Sequence, residues 1–171
     1  DRVAEATAMA SRAPLDLRVN TLKAKREKIL ASLSHLGATP TPWSPIGLRI
    51  ELGADARNPG VHAEEDFIKG AVEVQDEGSQ LAALLSAAKP GEQVIDLCAG
   101  AGGKTLALAA MMQGKGRLIA TDHDKRQLAP IYERLSRAGV HNADIRAPKG
   151  DADPLADIRV SADLVLIDAP C

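Results

Sequence analysis

The sequence predicts an α/β protein: a Rossmann-like domain with an incomplete parallel sheet, preceded by a small α+β module. Residues 93–105 (QVIDLCAGAGGKT) run from a short apolar stretch into glycines and then into an Ala/Leu-rich stretch, which reads as strand, glycine turn, helix. Apolar runs at Arg117–Thr121 and residues 163–167 alternate with helical stretches, the pattern of right-handed crossovers in a parallel sheet. Earlier, residues 15–21 (LDLRVNT) and 47–52 (GLRIEL) alternate apolar and polar side chains around a single helix. The expected division is 1–58 for the module, 59–74 for a connector and 75–171 for the Rossmann-like part.

In the module, Ile29, Leu30, Leu33 and Leu36 share one helical face over residues 25–36, and Gly37 stops the helix. Residues 39–45 are proline-rich, and Trp43 in that turn reads as a packing residue. Between residues 11 and 28, Arg12, Arg18, Lys23, Lys25, Arg26 and Lys28 face only Asp16 and Glu27. Such a segment suits a phosphate backbone, or equally a solvated helix face. Residues 53–70 are polar and contain Gly and Pro, so little regular structure is expected there. Residues 75–88 predict a helix with Asp76 or Glu77 at its positive end and Leu81, Leu84 and Leu85 in the core. After the glycine turn a helix is expected over 104–112, ended by Gly114 and Gly116. Asp124 can cap a helix over 125–138 that Gly139 terminates, with Pro130 kinking it. Residues 142–147 and 163–167 supply the third and fourth parallel strands.

Ligands of such sheets gather beyond the carboxyl ends of the strands, where Asp96, Asp122 and Asp168 all fall. Three readings of the turn compete. A phosphate-cradling P-loop needs G-x-x-x-x-G-K-[ST]. Gly103, Lys104 and Thr105 match its end, but Cys98 stands where its first glycine belongs. A nucleoside turn wants an acid roughly 20 residues on for the ribose hydroxyls, and Asp122 provides it. A sulfonium nucleoside has no phosphate and tolerates carboxylates on both sides. The third reading is a plain connecting turn.

With 45% hydrophobic and 26% charged residues, the chain has the composition of a globular protein. No apolar run reaches the ~18 residues of a membrane span, and residues 1–10 lack the pattern of a signal peptide. Cys98 and Cys171 suit a reducing cytoplasm better than a disulfide scaffold, and no Cys/His cluster has zinc spacing. The final strand, ending Asp168-Ala169-Pro170-Cys171, leaves a sheet edge open, so the chain is expected to be part of a longer protein.

Together PLDLRVNTLK (14–23), VQDEGSQLAA (74–83), VIDLCAGAGGKT (94–105), TDHDKRQL (121–128) and LVLIDAPC (164–171) resemble the Sun (Fmu-type) family of RNA cytosine-5 methyltransferases, the bacterial branch that modifies small-subunit ribosomal RNA. The resemblance implies an RNA-binding module followed by the front half of a domain that binds S-adenosylmethionine. It sets Cys98, Ala99, Gly100, Ala101, Gly102, Gly103 and Lys104 against the cofactor's methionine end, and Asp122 on its ribose. It also assigns Arg126 to a basic cofactor position and Asp151 to the adenine edge. Asp168 serves cofactor and target base, and Cys171 is the Pro-Cys cysteine.

Carbon 5 of cytosine is a poor nucleophile. A thiolate adding to carbon 6 makes carbon 5 enamine-like, able to attack a sulfonium methyl group. An acid near ring nitrogen 3, for which Asp168 is the candidate, steadies the adduct. In the family the attacking cysteine lies in a Thr-Cys pair and the Pro-Cys cysteine assists release. The sequence contains no Thr-Cys pair. The chain by itself is therefore expected to bind cofactor weakly and not to turn over. A P-loop-like ATPase using Gly103, Lys104, Thr105 and Asp168, and a non-catalytic RNA-binding module, are the alternatives.

Overall fold

The computed structural model describes residues 1–10, 12–53, 57–150, 152–158 and 160–169. It contains two four-stranded sheets, each with its own apolar cluster.

The first sheet belongs to the module. Strands β1 (Leu15–Val19), β2 (Thr39–Pro40), β3 (Gly47–Ile50) and β4 (Val72–Val74) lie in the order β2-β3-β1-β4 with antiparallel pairings. Helix α1 (Arg2–Ala10) precedes it with no buried residue, an element the apolar pattern did not announce. Helix α2 (Arg26–Ser32) buries Ile29, and Leu33 follows it into the same cluster with Leu17, Val19, Leu48 and Val72. A short 3-10 turn over Ser34–Leu36 completes the predicted helix, and Gly37 closes it at φ 71°. Only glycine takes that left-handed geometry without a Cβ penalty.

The segment expected to be an irregular connector is more ordered than that. It holds helix α3 (Glu65–Ile68) and the whole of β4, which pairs with β1 through Leu17↔Val74 and Val19↔Val72. Three residues of alternating Val-Glu-Val are too short to stand out as a strand, and the partner supplies the rest of the signal.

The second sheet is fully parallel. Strands β5 (Gln93–Asp96), β6 (Arg117–Thr121), β7 (Ala143–Arg146) and β8 (Leu164–Leu166) lie in the order β7-β6-β5-β8. Helix α4 (Glu77–Leu85) starts at Asp76, whose carboxylate accepts from the Ser79 N–H at 3.2 Å. Helix α5 (Gly103–Met111) follows the glycine turn and buries Thr105 through Ala110, small residues that let it lie close on the sheet. The predicted helix over 125–138 is two: α6 (Lys125–Leu128), capped by Asp124, and α7 (Ile131–Ala138). Pro130 lies at the break, where its missing N–H and its ring interrupt the helical ladder. No described helix is long and apolar enough to cross a membrane.

The two sheets share a polar seam. Asp16 and Arg18, on the face of β1 that alternation suggests is wet, are both buried. Asp16 accepts the Glu77 N–H at 3.0 Å and a bidentate pair from Arg49, and Arg18 donates to Gln75 Oε1 at 2.6 Å. Helix α4 accordingly buries Glu77, Gln80 and Ala83, while Leu85, expected in the core, is 84% exposed. Its inner face was chosen by hydrogen bonds, which hydrophobic periodicity does not see. Across the seam, the Asn20 amide donates to Gly70 O and Ala138 O, each at 2.9 Å. The buried Glu73 carboxylate takes Arg137 at 2.5 Å and Arg134 at 3.1 Å.

Candidate functional site

The glycine turn is held open by backbone geometry. Leu97 N–H donates to Leu166 O and Ala99 N–H to Thr121 O, both at 3.0 Å, so the turn hangs between the ends of β8 and β6. Gly100 and Gly102 have φ of 50° and 85°, and the Gly102 N–H closes the loop onto Ala99 O at 2.8 Å. A Cβ on Gly102 would overlap the Ile131 side chain, reaching 2.9 Å from its Cδ1, whereas one on Gly100 would meet nothing within 4 Å. Gly102 is glycine for close packing against α7. At Gly100 the backbone faces open space.

Beyond this rim lies a cleft of about 340 Å³ lined by Cys98, Gly100, Asp122, His123, Gln127, Asp168 and Ala169. Asp122, at the end of β6, accepts the Gly100 N–H at 2.9 Å through one oxygen. Its other oxygen takes the Asp124 N–H at 3.1 Å and lies 3.0 Å from His123 Nδ1. Asp168 pairs with Lys104, whose ammonium also donates to Ser79 Oγ at 2.8 Å. Asp96 is wholly buried beneath: Thr105 Oγ1 donates to its Oδ2 at 2.7 Å, and its Oδ1 has no hydrogen-bond partner. Burial pushes the Asp96 carboxyl up to about 6, against the opposing pull of the Thr105 hydrogen bond. Burial, then the nearby Asp122, Asp96 and Asp168, also raise the Cys98 thiol. A thiol kept protonated is a poor nucleophile, so the backbone of Cys98 is what the cleft can use.

Of the residues singled out from the sequence, Cys98, Gly100, Asp122 and Asp168 therefore meet at one cleft, with Lys104 bound to Asp168 at its edge. Ala99 is buried under the turn, Gly103 opens α5, and the Ala101 carbonyl points away to accept from Arg134 at 2.8 Å. Arg126 is not brought to the cleft. Its exposed guanidinium folds back on Asp124, and that contact holds the Asp124 carboxyl down to about 2. Asp151 and Cys171 lie outside the described residues. His123 and Gln127 were missed, although His123 directly follows the strand-end acid and Gln127 lies in the first turn after the Asp124 cap. Ser79 gave no signal, because its role depends on α4 docking beside α5.

The donor set is carboxylate plus backbone amide. It suits a diol and a cationic group and opposes a triphosphate, since Asp122 and Asp168 line the cleft, Asp96 lies buried beneath it, and the lysine is already paired.

Residues 83–171 match the family described as 16S rRNA methyltransferase RsmB/F, and residues 4–57 match the ferredoxin-like domain of RsmF/B-like methyltransferases. Ribosomal RNA small subunit methyltransferase F of Cronobacter sakazakii is 34% identical over 159 residues, covering 91% of this chain and 33% of that protein. The 26S rRNA (cytosine-C(5))-methyltransferase nsun-1 of Caenorhabditis elegans is 33% identical over 162 residues, 92% of this chain and 24% of its own length. The chain thus spans a third or less of these two relatives. Among solved structures, PH0851 superposes with a TM-score of 0.85 at 32% identity, covering 96% of this chain and 37% of that one. A methyltransferase homolog from Pyrococcus horikoshii gives 0.80 at 30% identity, covering 97% and 53%. With an antiparallel sheet followed by a parallel one and a matched stretch that covers more than half of its residues, the chain belongs to the 16S rRNA methyltransferase RsmB/F family.

Proposed function

We propose that the chain supplies the cofactor cleft and an RNA-binding module for methylation of carbon 5 of cytosine in ribosomal RNA, with S-adenosylmethionine as methyl donor. One observation carries this: Asp122 and Asp168, far apart in sequence, line one cleft with the glycine turn at the carboxyl end of the parallel sheet, and Asp96 lies buried beneath it, all three close enough to act on Cys98. When bound, S-adenosylmethionine supplies an electrophilic methyl group. Asp122 accepts the ribose hydroxyls, and the backbone from Cys98 to Gly103 approaches the methionine end. The carboxylates of Asp122 and Asp168 and the open face of Gly100 fit a ligand that brings hydrogen-bond donors and no phosphate. Asp168, paired with Lys104, faces the cytosine edge and steadies the adduct when it shares a proton with ring nitrogen 3. Asp151 belongs to the adenine edge and Cys171 assists product release, while Arg126 would reach the cofactor only by giving up its contact with Asp124. The thiolate that adds to carbon 6 comes from a Thr-Cys pair that these 171 residues do not include. The module, residues 1–58, takes the RNA through Lys25, Arg26 and Lys28.

Calorimetric titration tests the reading. S-adenosylhomocysteine should bind and Mg-ATP should not. Mg-ATP binding, or nucleoside binding that is unchanged by Asp122→Ala, would overturn it.

A further inference from the structure

Trp43 is the chain's sole tryptophan, and it is 74% exposed rather than packed as its proline-rich turn suggests. An indole offers 150–250 Å² of surface that ordinary packing would bury. Its mount is nonetheless rigid. The N–H groups of Trp43 and Ser44 both donate to Glu77 Oε1, at 2.7 and 2.8 Å. The Ser44 carbonyl accepts from Thr41 Oγ1 at 3.2 Å and from the Arg26 guanidinium at 3.3 Å. A flat apolar ring is thus held in water on a fixed backbone, next to a cation.

The mount shares an element with the cleft. Glu77 lies in the first turn of α4, two residues from Ser79, which binds the Lys104 that pairs with Asp168, so the Trp43 turn and that ion pair flank the start of α4 from opposite faces. The local charge favours a polyanion. Asp16 and Glu77 share Arg49, with Arg26 on the adjoining Ser44 carbonyl, while Lys25 and Lys28 are exposed and line a concave surface with Thr21 to Ala24.

We infer that Trp43 is a stacking platform for an unpaired base of single-stranded RNA, set across the start of α4 from the cleft so that a nucleotide on one side of the target is held while the target base enters. This rests on RNA being the substrate, as proposed above. Every base has a π-face, so such a platform grips RNA without fixing sequence, and the lysines take the phosphates. The backbone clasp by Glu77 gives the ring its direction and explains a buried carboxylate at the start of α4.

The single indole makes the test direct. The intact chain is titrated with a short mixed-sequence oligoribonucleotide containing cytosine, and separately with heparin, a polyanion without bases. Indole emission is excited where tyrosine is silent, and binding is read independently by filter retention. RNA should quench the emission saturably and heparin should leave it unchanged. Trp43→Ala should weaken RNA binding about 10-fold, the scale of one lost base stack, and Trp43→Phe should retain most of the affinity. Retention of RNA with unaltered emission, or full affinity in Trp43→Ala, overturns the platform while leaving the methyltransferase reading intact. Failure of RNA to bind at all removes the platform and the basic segment together. S-adenosylhomocysteine titration then still decides the nucleoside cleft on its own.

Discussion

Glu73→Ala is the most demanding test of how the module and the parallel sheet are joined. The carboxylate is buried on β4 and accepts from Arg137 at 2.5 Å and Arg134 at 3.1 Å. Arg18 lies close by, almost wholly buried. Its burial depresses the guanidinium to about 10 despite the attraction of Glu73, and its Nη2 has no hydrogen-bond partner. Removing the single anion leaves three neighbouring cations uncompensated. Breaking a buried pair costs about 3–5 kcal/mol. The lower end applies here, because Arg134 keeps the Ala101 carbonyl and Arg137 keeps its stack 4.0 Å over the Phe67 ring. Urea unfolding of the chain should show that loss, with Glu73→Gln, which keeps the shape and one acceptor, losing about 1–3 kcal/mol. Arg134 also ties this network to the glycine turn, so amide exchange at Gly100 to Gly102 should accelerate in Glu73→Ala. A loss below about 1 kcal/mol, the size of a surface pair, with unchanged exchange in the turn would refute a buried, coupled network.

Gly102→Ala combines a left-handed backbone at φ 85° with a methyl driven against Ile131. It should cost about 1–2 kcal/mol for the backbone and about 1–3 kcal/mol for overpacking, read by thermal unfolding. Asp122→Ala removes the acceptor of the Gly100 N–H and should weaken S-adenosylhomocysteine by about 1–3 kcal/mol in calorimetry. Asp96 predicts a pH effect. Its folded value near 6 exceeds the ordinary carboxylate value of 3.8, so the folded state holds the proton more tightly. This contribution is full below about 4 and is lost as pH rises through 6, by up to about 3 kcal/mol. Asp96→Asn, still able to accept from Thr105, should abolish that fall in stability between pH 4 and 6. Lys25→Glu with Arg26→Glu should lower RNA affinity and flatten its salt dependence, as counterion release requires.

The parallel half was readable in the sequence because its central strands β5 and β6 are buried apolar runs and its turns carry glycine or proline. Strand β6 has the predicted bounds of Arg117–Thr121, Gly139 ends α7 in the left-handed region at φ 72°, and Pro130 divides α6 from α7. The seam was not readable. Asp16, Arg18, Glu73 and Glu77 are polar side chains that periodicity assigns to solvent, yet each is buried with partners from a distant part of the chain. Local propensity cannot report a partner 57 or 61 residues away. The cleft falls between these cases. Its three acids were visible as strand ends, whereas Ser79 and Gln127 enter through helix packing, and Arg126 turned aside because Asp124 offers a nearer carboxylate.

The seam also bears on how RNA and cofactor would meet. A module joined only by a flexible linker would let a bound RNA wander relative to the cleft. Here two polar routes cross instead. Glu73 reaches Arg134 and then the Ala101 carbonyl of the glycine turn. From the Trp43 turn, Glu77 leads to α4, where Ser79 meets Lys104 and so Asp168. Each route joins a module strand or turn to one side of the cleft through hydrogen bonds with short range and fixed direction. Such contacts are worth little in net stability compared with an apolar interface of equal area, but they admit only one docking geometry. That trade suits the proposed function, in which a base brought in by the module would have to be registered to within a fraction of an ångström against a methyl group held at the cleft.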